Sequence, residues 1–137
     1  MAIWGWSYGG FMALNCLTYG NETFKAGISI APVTDWRLYN TAYTERFMST
    51  PQENDYGYEQ SDLIEKAHLL KGKLLLCHGT ADDNVHIQHA MLYCNALVEA
   101  GIQFEMQIYP NKNHSILGAK TRHHLYTRFN TFLKNNL

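Results

Sequence analysis

One short segment limits the fold more than any other part of this sequence. Residues 73–78 are Lys-Leu-Leu-Leu-Cys-His, an almost continuous apolar run that follows Gly72 and precedes Gly79. A strand of this composition is buried on both faces, and such strands are typical of parallel sheets with helices on both sides. The segment therefore predicts an α/β protein whose parallel strands are joined by helical crossovers.

The rest of the chain alternates between the same two kinds of element. The predicted strands lie at 2–5, 25–31, 73–78 and 104–109. The predicted helices lie at 8–19, 59–67, 86–100 and 119–135. Residues 33–58 are rich in aromatic side chains and follow neither period, so we expect an irregular segment there. We expect one α/β domain, and its 137 residues suffice for a sizeable core.

Composition argues against several classes of function. The 11 basic and 12 acidic residues leave a net charge of −1, and no basic cluster is present to bind a phosphate backbone, so we expect no nucleic-acid partner. Cys16, Cys77 and Cys94 lie in apolar stretches without the spacing of metal ligands, which predicts buried free thiols. We expect no metal and no organic cofactor. No apolar run is long enough to predict a membrane span.

Residues 5–9, Gly-Trp-Ser-Tyr-Gly, stand between the first predicted strand and the first predicted helix. They fit the Gly-x-Ser-x-Gly pattern of the nucleophile elbow of α/β-hydrolases, in which a strained turn projects the serine at the carboxyl edge of the sheet. The N-terminus of the next helix offers backbone N–H groups to a developing negative charge. The pattern alone is common, but its position between a strand and a helix favours a nucleophile at Ser7 over an ordinary glycine-rich bend.

A serine nucleophile of this kind needs an acid and a histidine, each just after a later strand, in that order along the chain. Asp82 and Asp83 follow the strand at 73–78, in the segment HGTADDNVH. His114 follows the strand at 104–109, in the segment PNKNHS. Because parallel strands end at the same edge of a sheet, these side chains should meet Ser7 there. The sequence thus predicts a catalytic triad.

Three segments of the chain closely resemble the catalytic region of the prolyl oligopeptidase family, in its dipeptidyl peptidase IV branch. They are GWSYGG, APVTDWRLYNTAYTERFM and HGTADDNVH. The resemblance runs from residue 2 to the C-terminus and implies that residues 1–137 are the C-terminal portion of an α/β-hydrolase domain. Members of the family are longer, and we expect their upstream hydrolase strands and β-propeller to be absent from this chain.

The resemblance also implies a role for each site residue. Ser7 would be the nucleophile, His114 the general base and Asp82, rather than Asp83, the acid that orients it. The backbone N–H of Tyr8 would be one donor of the oxyanion hole. The second donor of the family, a tyrosine hydroxyl upstream of the elbow, has no match here. The pair of propeller glutamates that binds the amino terminus of the substrate has no match either.

The same resemblance assigns a pocket for the residue before the cleaved bond. The side chains implied for it are those of Tyr8, Val33, Trp36, Tyr39, Tyr43 and Val85. Asn84 would donate its amide to the carbonyl of the residue before proline. The alternative is that these aromatic residues are ordinary core. A pocket of aromatic faces suits proline, which has a flat apolar ring and no N–H.

The implied activity is that of a serine exopeptidase, which releases Xaa-Pro or Xaa-Ala dipeptides from peptide N-termini through an acyl-enzyme. We expect the isolated chain to be nearly inactive, because an oxyanion donor and the amine-binding carboxylates are missing. Two alternatives stay open. One is another hydrolase of the family, an acylaminoacyl peptidase or an esterase, against which Asn84, Tyr39 and Tyr43 argue. The other is a non-catalytic truncated module.

Two further expectations concern the surroundings of the protein. The family resemblance implies a periplasmic or extracellular location. The strand at 2–5 should be an open sheet edge, with exposed apolar surface around Ile3, Trp4 and Phe11. We therefore expect a homo-oligomer, most simply a twofold dimer.

Overall fold

A computed structural model describes residues 1–20 and 23–137 and shows the predicted alternation of strands and helices. The strands are β1 (Ala2–Trp6), β2 (Ala26–Ile30), β3 (Lys73–Gly79) and β4 (Glu105–Tyr109). The helices are α1 (Tyr8–Tyr19), α2 (Thr41–Met48), α3 (Asp55–Ser61), α4 (Gln88–Glu99) and α5 (Ala119–Asn136). The four strands form one parallel sheet in the order β1-β2-β3-β4. The prediction of a parallel sheet flanked by helices is confirmed.

The apolar run in β3 is buried on both faces of the sheet, as its composition predicts. On one face, Leu74 and Leu76 lie in a cluster that includes Leu14 of α1 and Leu97 of α4. On the other face, Leu75 and Cys77 lie in a second cluster with residues of α5. Because side chains alternate along a strand, a single apolar run supplies both helical layers. The sheet therefore holds α1 and α4 on one side and α5 on the other.

The segment at 33–58, predicted to be irregular, contains α2 and the first residues of α3. The side chain of Asn40 accepts a hydrogen bond from Tyr43 N–H at 2.9 Å and caps α2. The side chain of Asn54 accepts one from Gly57 N–H at 3.2 Å and caps α3. These helices have 8 and 7 residues, which is too short for a clear apolar period. Side-chain caps rather than periodicity mark where they begin.

The helix predicted at 59–67 is wrong in its position. The observed helix α3 ends at Ser61, and Asp62 follows it in an extended conformation. The carboxylate of Asp62 then accepts hydrogen bonds from Ile64 N–H at 2.9 Å and Glu65 N–H at 3.2 Å. These local bonds form a turn that competes with helix continuation. A single 3₁₀ turn at Ala67–Leu69 leads on to β3.

Strand β1 lies at one edge of the sheet and pairs with β2. Trp4 is 58% exposed on its outer face, as expected, and Ile3 is half-buried. The expected exposure of Phe11 is wrong, since this residue is only 7% exposed. Its ring packs edge-on against Trp36, with 5.2 Å between the ring centroids. The loop after β2 therefore covers Phe11.

The three cysteines are free thiols, but they are not equally buried. Cys77 and Cys94 are buried, whereas Cys16 is only half-buried, contrary to the expectation for it. Burial raises the pKa of the Cys77 thiol to about 12 and that of Cys94 to about 11. Both thiols are protonated at neutral pH and behave as small apolar side chains. Across residues 1–20 and 23–137, no helix has both the length and the apolar character that a bilayer span requires.

Candidate active site

Ser7 occupies a strained turn between β1 and α1. Its backbone has φ 59° and ψ −117°, and a positive φ at a residue other than glycine costs about 1–3 kcal/mol. The turn is held on both sides, because Ser7 N–H donates to Ile30 O at 2.8 Å and Phe11 N–H donates to Ser7 O at 3.0 Å. This is the strand-turn-helix conformation that the Gly-x-Ser-x-Gly pattern predicts.

Gly5 of the pattern and the adjacent Gly10 lie at close backbone contacts, whereas a Cβ on Gly9 would meet no atom within 4 Å. A Cβ on Gly5 would lie 2.1 Å from the carbonyl oxygen of Gly9, so α1 could not start so near the strand. A Cβ on Gly10 would lie 2.8 Å from Ile30 O. The N–H of Tyr8 belongs to the first turn of α1 and has no acceptor within the helix. It is therefore able to donate to a negatively charged oxygen near Ser7.

Asp82 lies in the loop after β3, with its side chain fully buried. One carboxylate oxygen accepts hydrogen bonds from Asn84 N–H at 3.0 Å and Val85 N–H at 2.9 Å. The other lies 2.7 Å from Nδ1 of His114 and 3.3 Å from Nε2 of His78. Burial alone would raise the pKa of Asp82, but the hydrogen bonds from His114, His78 and Asn84 N–H outweigh it and hold the pKa well below its usual value. Asp82 is thus ionised at neutral pH.

His114 lies in the loop after β4, and its side chain is 19% exposed. An ionised Asp82 beside Nδ1 favours the tautomer in which Nδ1 carries the proton and Nε2 has a free lone pair. Asp83 is exposed to solvent, whereas Asp82 is buried against the imidazole. The structure therefore brings Asp82 and His114 together as the triad prediction requires.

Two contacts in this region were missed by reasoning from the sequence. The indole N–H of Trp6, next to Ser7, donates to the backbone oxygen of His114 at 2.8 Å. This bond joins the nucleophile elbow to the loop between β4 and α5 that carries His114. His78 lies fully buried at the end of β3, where its Nε2 is 2.8 Å from Val85 O as well as near Asp82. The only sequence signal for the second contact was a histidine in an otherwise apolar strand, and this signal did not indicate which residues the histidine contacts.

An open apolar pocket of about 450 Å³ lies beside Tyr8. The residues that line it are Tyr8, Phe11, Trp36, Tyr43, Thr44, Phe47, Met48 and Ser61. Three of the six predicted pocket residues, Tyr8, Trp36 and Tyr43, are therefore brought together. The rings of Trp36 and Tyr43 are stacked, with 5.9 Å between centroids and 23° between planes. Flat aromatic faces of this kind suit a small planar apolar group.

The other predicted pocket residues lie elsewhere. Val33 and Val85 are 2% and 0% exposed and belong to the apolar cluster that also contains Trp36. Tyr39 lies in an adjacent polar pocket, where its hydroxyl donates to the side-chain oxygen of Asn84 at 2.6 Å. This bond orients the Asn84 amide and leaves its NH₂ group able to donate.

Helix α2 supplies the part of the pocket wall that sequence reasoning missed. Phe47 follows Tyr43 by four residues, and the two rings are 5.1 Å apart. Met48 follows Thr44 by four residues and lines the same pocket. Residues four apart share a helix face. The capping residue Asn40, followed by side chains at this spacing, was therefore the signal in the sequence from which α2 and its pocket face could have been predicted.

The remaining histidines do not form a metal centre within the described parts of the chain, where no three His, Cys, Asp or Glu side chains cluster as ligands. His89 is buried in α4, and its Nδ1 accepts a hydrogen bond from Thr34 N–H at 3.1 Å. His89 therefore ties α4 to the loop that follows β2.

Comparison with known proteins agrees with this geometry. Residues 1–137 match the model of the prolyl oligopeptidase family, Peptidase S9. Over 98% of its length the chain is 45% identical to the "Probable dipeptidyl-aminopeptidase B" of Aspergillus oryzae and 43% identical to dipeptidyl peptidase 4 of Bos taurus, covering 15% and 18% of those proteins. The crystal structure of Porphyromonas gingivalis dipeptidyl peptidase 4 matches with a TM-score of 0.97 and 58% identity.

That structural match covers 99% of this chain and 19% of the Porphyromonas gingivalis chain. The chain thus spans less than a fifth of the length of each of these three proteins. Its sheet, its elbow turn and its flanking helices correspond to part of an α/β-hydrolase domain. The chain belongs to the prolyl oligopeptidase family, in its dipeptidyl peptidase IV branch.

Proposed function

We propose that this chain is the catalytic segment of a serine exopeptidase that removes Xaa-Pro or Xaa-Ala dipeptides from peptide N-termini. The observation that carries the proposal is the 2.7 Å contact between buried Asp82 and His114, at the same sheet edge as the strained turn at Ser7. The substrate class is taken from the dipeptidyl peptidases to which the chain is similar. The aromatic pocket beside Tyr8 supports it.

In this mechanism Nε2 of His114 takes the proton of the Ser7 hydroxyl as its oxygen attacks the scissile carbonyl. Asp82 stays ionised and stabilises the imidazolium that forms. The N–H of Tyr8 donates to the oxyanion of the tetrahedral intermediate. His114 then protonates the leaving amine and later activates water, which releases the dipeptide from the acyl-enzyme.

Specificity would arise beside Tyr8. A proline ring buries apolar area between the aromatic walls of the pocket without leaving an N–H unpaired. The Asn84 amide, oriented by its bond from Tyr39, would donate to the carbonyl of the preceding residue. This polar pair places a hydrogen-bond donor beside the apolar pocket, and the combination favours the dipeptidyl peptidase over an esterase or an acylaminoacyl peptidase.

Further parts of the machinery are proposed to lie outside these 137 residues. They are a second oxyanion donor, the carboxylates that bind the substrate amine, additional hydrolase strands and a β-propeller. Losing one oxyanion donor alone costs about a hundredfold to a thousandfold in kcat. The 137-residue chain by itself is therefore expected to be nearly inactive, and we propose that it associates with further copies of itself.

The test is Ser7→Ala in the natural protein that carries this chain, assayed with a Gly-Pro anilide. Turnover should fall by at least a thousandfold while a proline-mimicking inhibitor still binds, because the serine contributes chemistry rather than affinity. Thr131→Ala removes an exposed hydroxyl on α5 and serves as the control. A Ser7→Ala protein that keeps more than about a tenth of the wild-type kcat would exclude Ser7 as the nucleophile.

A further inference from the structure

The loop that carries His114 has a strained backbone. Between the end of β4 at Tyr109 and the start of α5 at Ala119, both Asn111 and Ile116 have positive φ angles, of 57° and 47°. Asparagine tolerates this conformation, but a β-branched residue does so at a real cost. The loop must therefore be held in place by its surroundings.

One side of the loop is held by the loop after β3. Ala81 N–H donates to Lys112 O at 3.0 Å, and Asn111 N–H donates to the Thr80 hydroxyl at 2.8 Å. Ile116 is fully buried in the cluster beneath α5. The two hydrogen bonds join the loop to the segment that carries Asp82, and the burial of Ile116 joins it to the core beneath α5.

The other side of the loop is held by two side chains that also contact each other. Trp6 donates its indole N–H to His114 O at 2.8 Å, and Arg122 of α5 donates to Ser115 O at 2.9 Å. The Arg122 guanidinium lies over the Trp6 ring, 5.3 Å from its centroid. Such a cation–π contact stabilises the pair and restricts both side chains. The carbonyl groups of two consecutive residues, His114 and Ser115, are thus bound by the stacked pair of Trp6 and Arg122.

Trp6 is also the residue before Ser7, at the last position of β1, whose backbone is paired with β2. The hydrogen bond from its indole to His114 therefore fixes the position of the general base relative to the strand that carries the nucleophile. General-base catalysis needs hydrogen-bond reach between the two groups, and a misplacement of about 1 Å can cost on the order of a hundredfold in rate.

We propose that Trp6, supported by Arg122, is a positioning residue that sets the distance of His114 from Ser7. The inference rests on the proposed function, since it assumes that Ser7 and His114 react together. Trp6 acts through the backbone of His114 and needs no contact with the reacting atoms. Its indole N–H is the essential group, because a ring without a donor could still stack against Arg122 but could not hold the carbonyl.

The test compares Trp6→Phe with wild type in the natural protein that carries this chain. One readout is hydrolysis of a Gly-Pro anilide. The other is the rate at which the Ser7 oxygen displaces fluoride from a small fluorophosphonate, a reaction that needs the base but not the proline pocket. We expect kcat and the phosphonylation rate to fall together by about tenfold or more, with KM changed less than twofold.

Two further variants sharpen the comparison. Trp4→Phe alters an exposed indole on the same strand and should leave both rates within about twofold of wild type. Arg122→Met removes the stacked guanidinium and should lower both rates, and in the Trp6→Phe background it should lower them by a smaller factor, because the indole bond that it supports is already absent. Arg122→Met carries the same test if Trp6→Phe lacks cooperative thermal unfolding.

The outcomes separate this inference from the proposed function. A wild-type protein that does not react with the fluorophosphonate at Ser7 overturns the proposed function and this inference together. A reactive wild type whose Trp6→Phe variant reacts at the same rate overturns the inference alone. A fall in the rate of Trp6→Phe that is matched by Trp4→Phe also overturns it, because the effect would then belong to the strand rather than to the indole bond.

Discussion

At the scale of single residues, the neighbouring aspartates have sharply different surroundings. Asp82 is buried against His114 and accepts two backbone N–H bonds, whereas Asp83 is exposed. Asp82→Asn should lower kcat by on the order of 10⁴-fold, because an amide beside Nδ1 favours the wrong tautomer of His114. Asp83→Asn is the matched control and should stay near wild type in steady-state assays. Equal loss in both variants would show that the orienting acid is misassigned.

Another residue-scale prediction concerns His89. Burial, with a smaller contribution from nearby His78, lowers the pKa of His89 to about 4. Its unfolded value is 6.5, so the unfolded chain binds more protons between these limits and stability falls as the pH drops. The free energy of unfolding should fall by up to about 1.4 kcal/mol per pH unit from pH 6.5 towards pH 4. Urea unfolding at several pH values measures this slope.

The control for His89 is an asparagine, whose side-chain oxygen can take the place of Nδ1 as acceptor for Thr34 N–H. His89→Asn should flatten the pH dependence over the same window, whatever it does to the overall stability. Asp82, whose pKa is depressed in the folded chain, adds a slope of the same sign only at the acid end of this window, where the unfolded carboxyl begins to bind protons near its ordinary value. An unchanged slope in His89→Asn would mean that other groups cause it.

At the scale of elements, helix α2 decides the shape of the pocket. Its Tyr43 ring stacks on Trp36 and contacts Tyr39, with 5.5 Å between the two tyrosine centroids. Tyr43→Ala should weaken cleavage after proline by about 1–3 kcal/mol in transition-state binding. Tyr56→Ala removes an exposed ring from α3 and is the matched control. The measurement is kcat/KM for Gly-Pro and Gly-Leu anilides.

The two substrates are needed because a general loss of activity would look the same with proline alone. The pocket prediction requires cleavage after proline to fall more than cleavage after leucine. If Tyr43→Ala reduced both by the same factor, α2 would be supporting the fold and not selecting the substrate.

At the scale of the whole molecule, the β1 edge predicts self-association. Its N–H and C=O groups facing away from β2 are open to pairing, and Trp4 adds an exposed ring that contacts Phe129 of α5. Sedimentation of the purified 137-residue chain at micromolar concentration should show a species larger than 15.7 kDa. Trp4→Lys should shift it towards the monomer, whereas Tyr56→Lys should not. A compact wild-type monomer would contradict the prediction.

Much of this molecule could be predicted from local patterns. The apolar run of β3 implies a parallel sheet because only a strand covered on both faces can bury it. The Gly-x-Ser-x-Gly pattern implies the strained turn at Ser7, and Gly5 lies where the backbone of Gly9 leaves no room for a side chain. Asp82 and His114 each follow a strand of the predicted parallel sheet, and parallel strands end at one edge, so the sequence predicts that the two side chains lie near each other.

The tertiary structure alone decided which distant groups touch. Trp6 and His114 are 108 residues apart, and no local pattern indicates a bond between them. The burial of Val33 and Val85, and the arrival of Phe47 at the pocket, depend on how the loop after β2 packs on α1 and α4. Periodicity reports which face of an element is apolar, but the partner of that face is set by packing across the whole core.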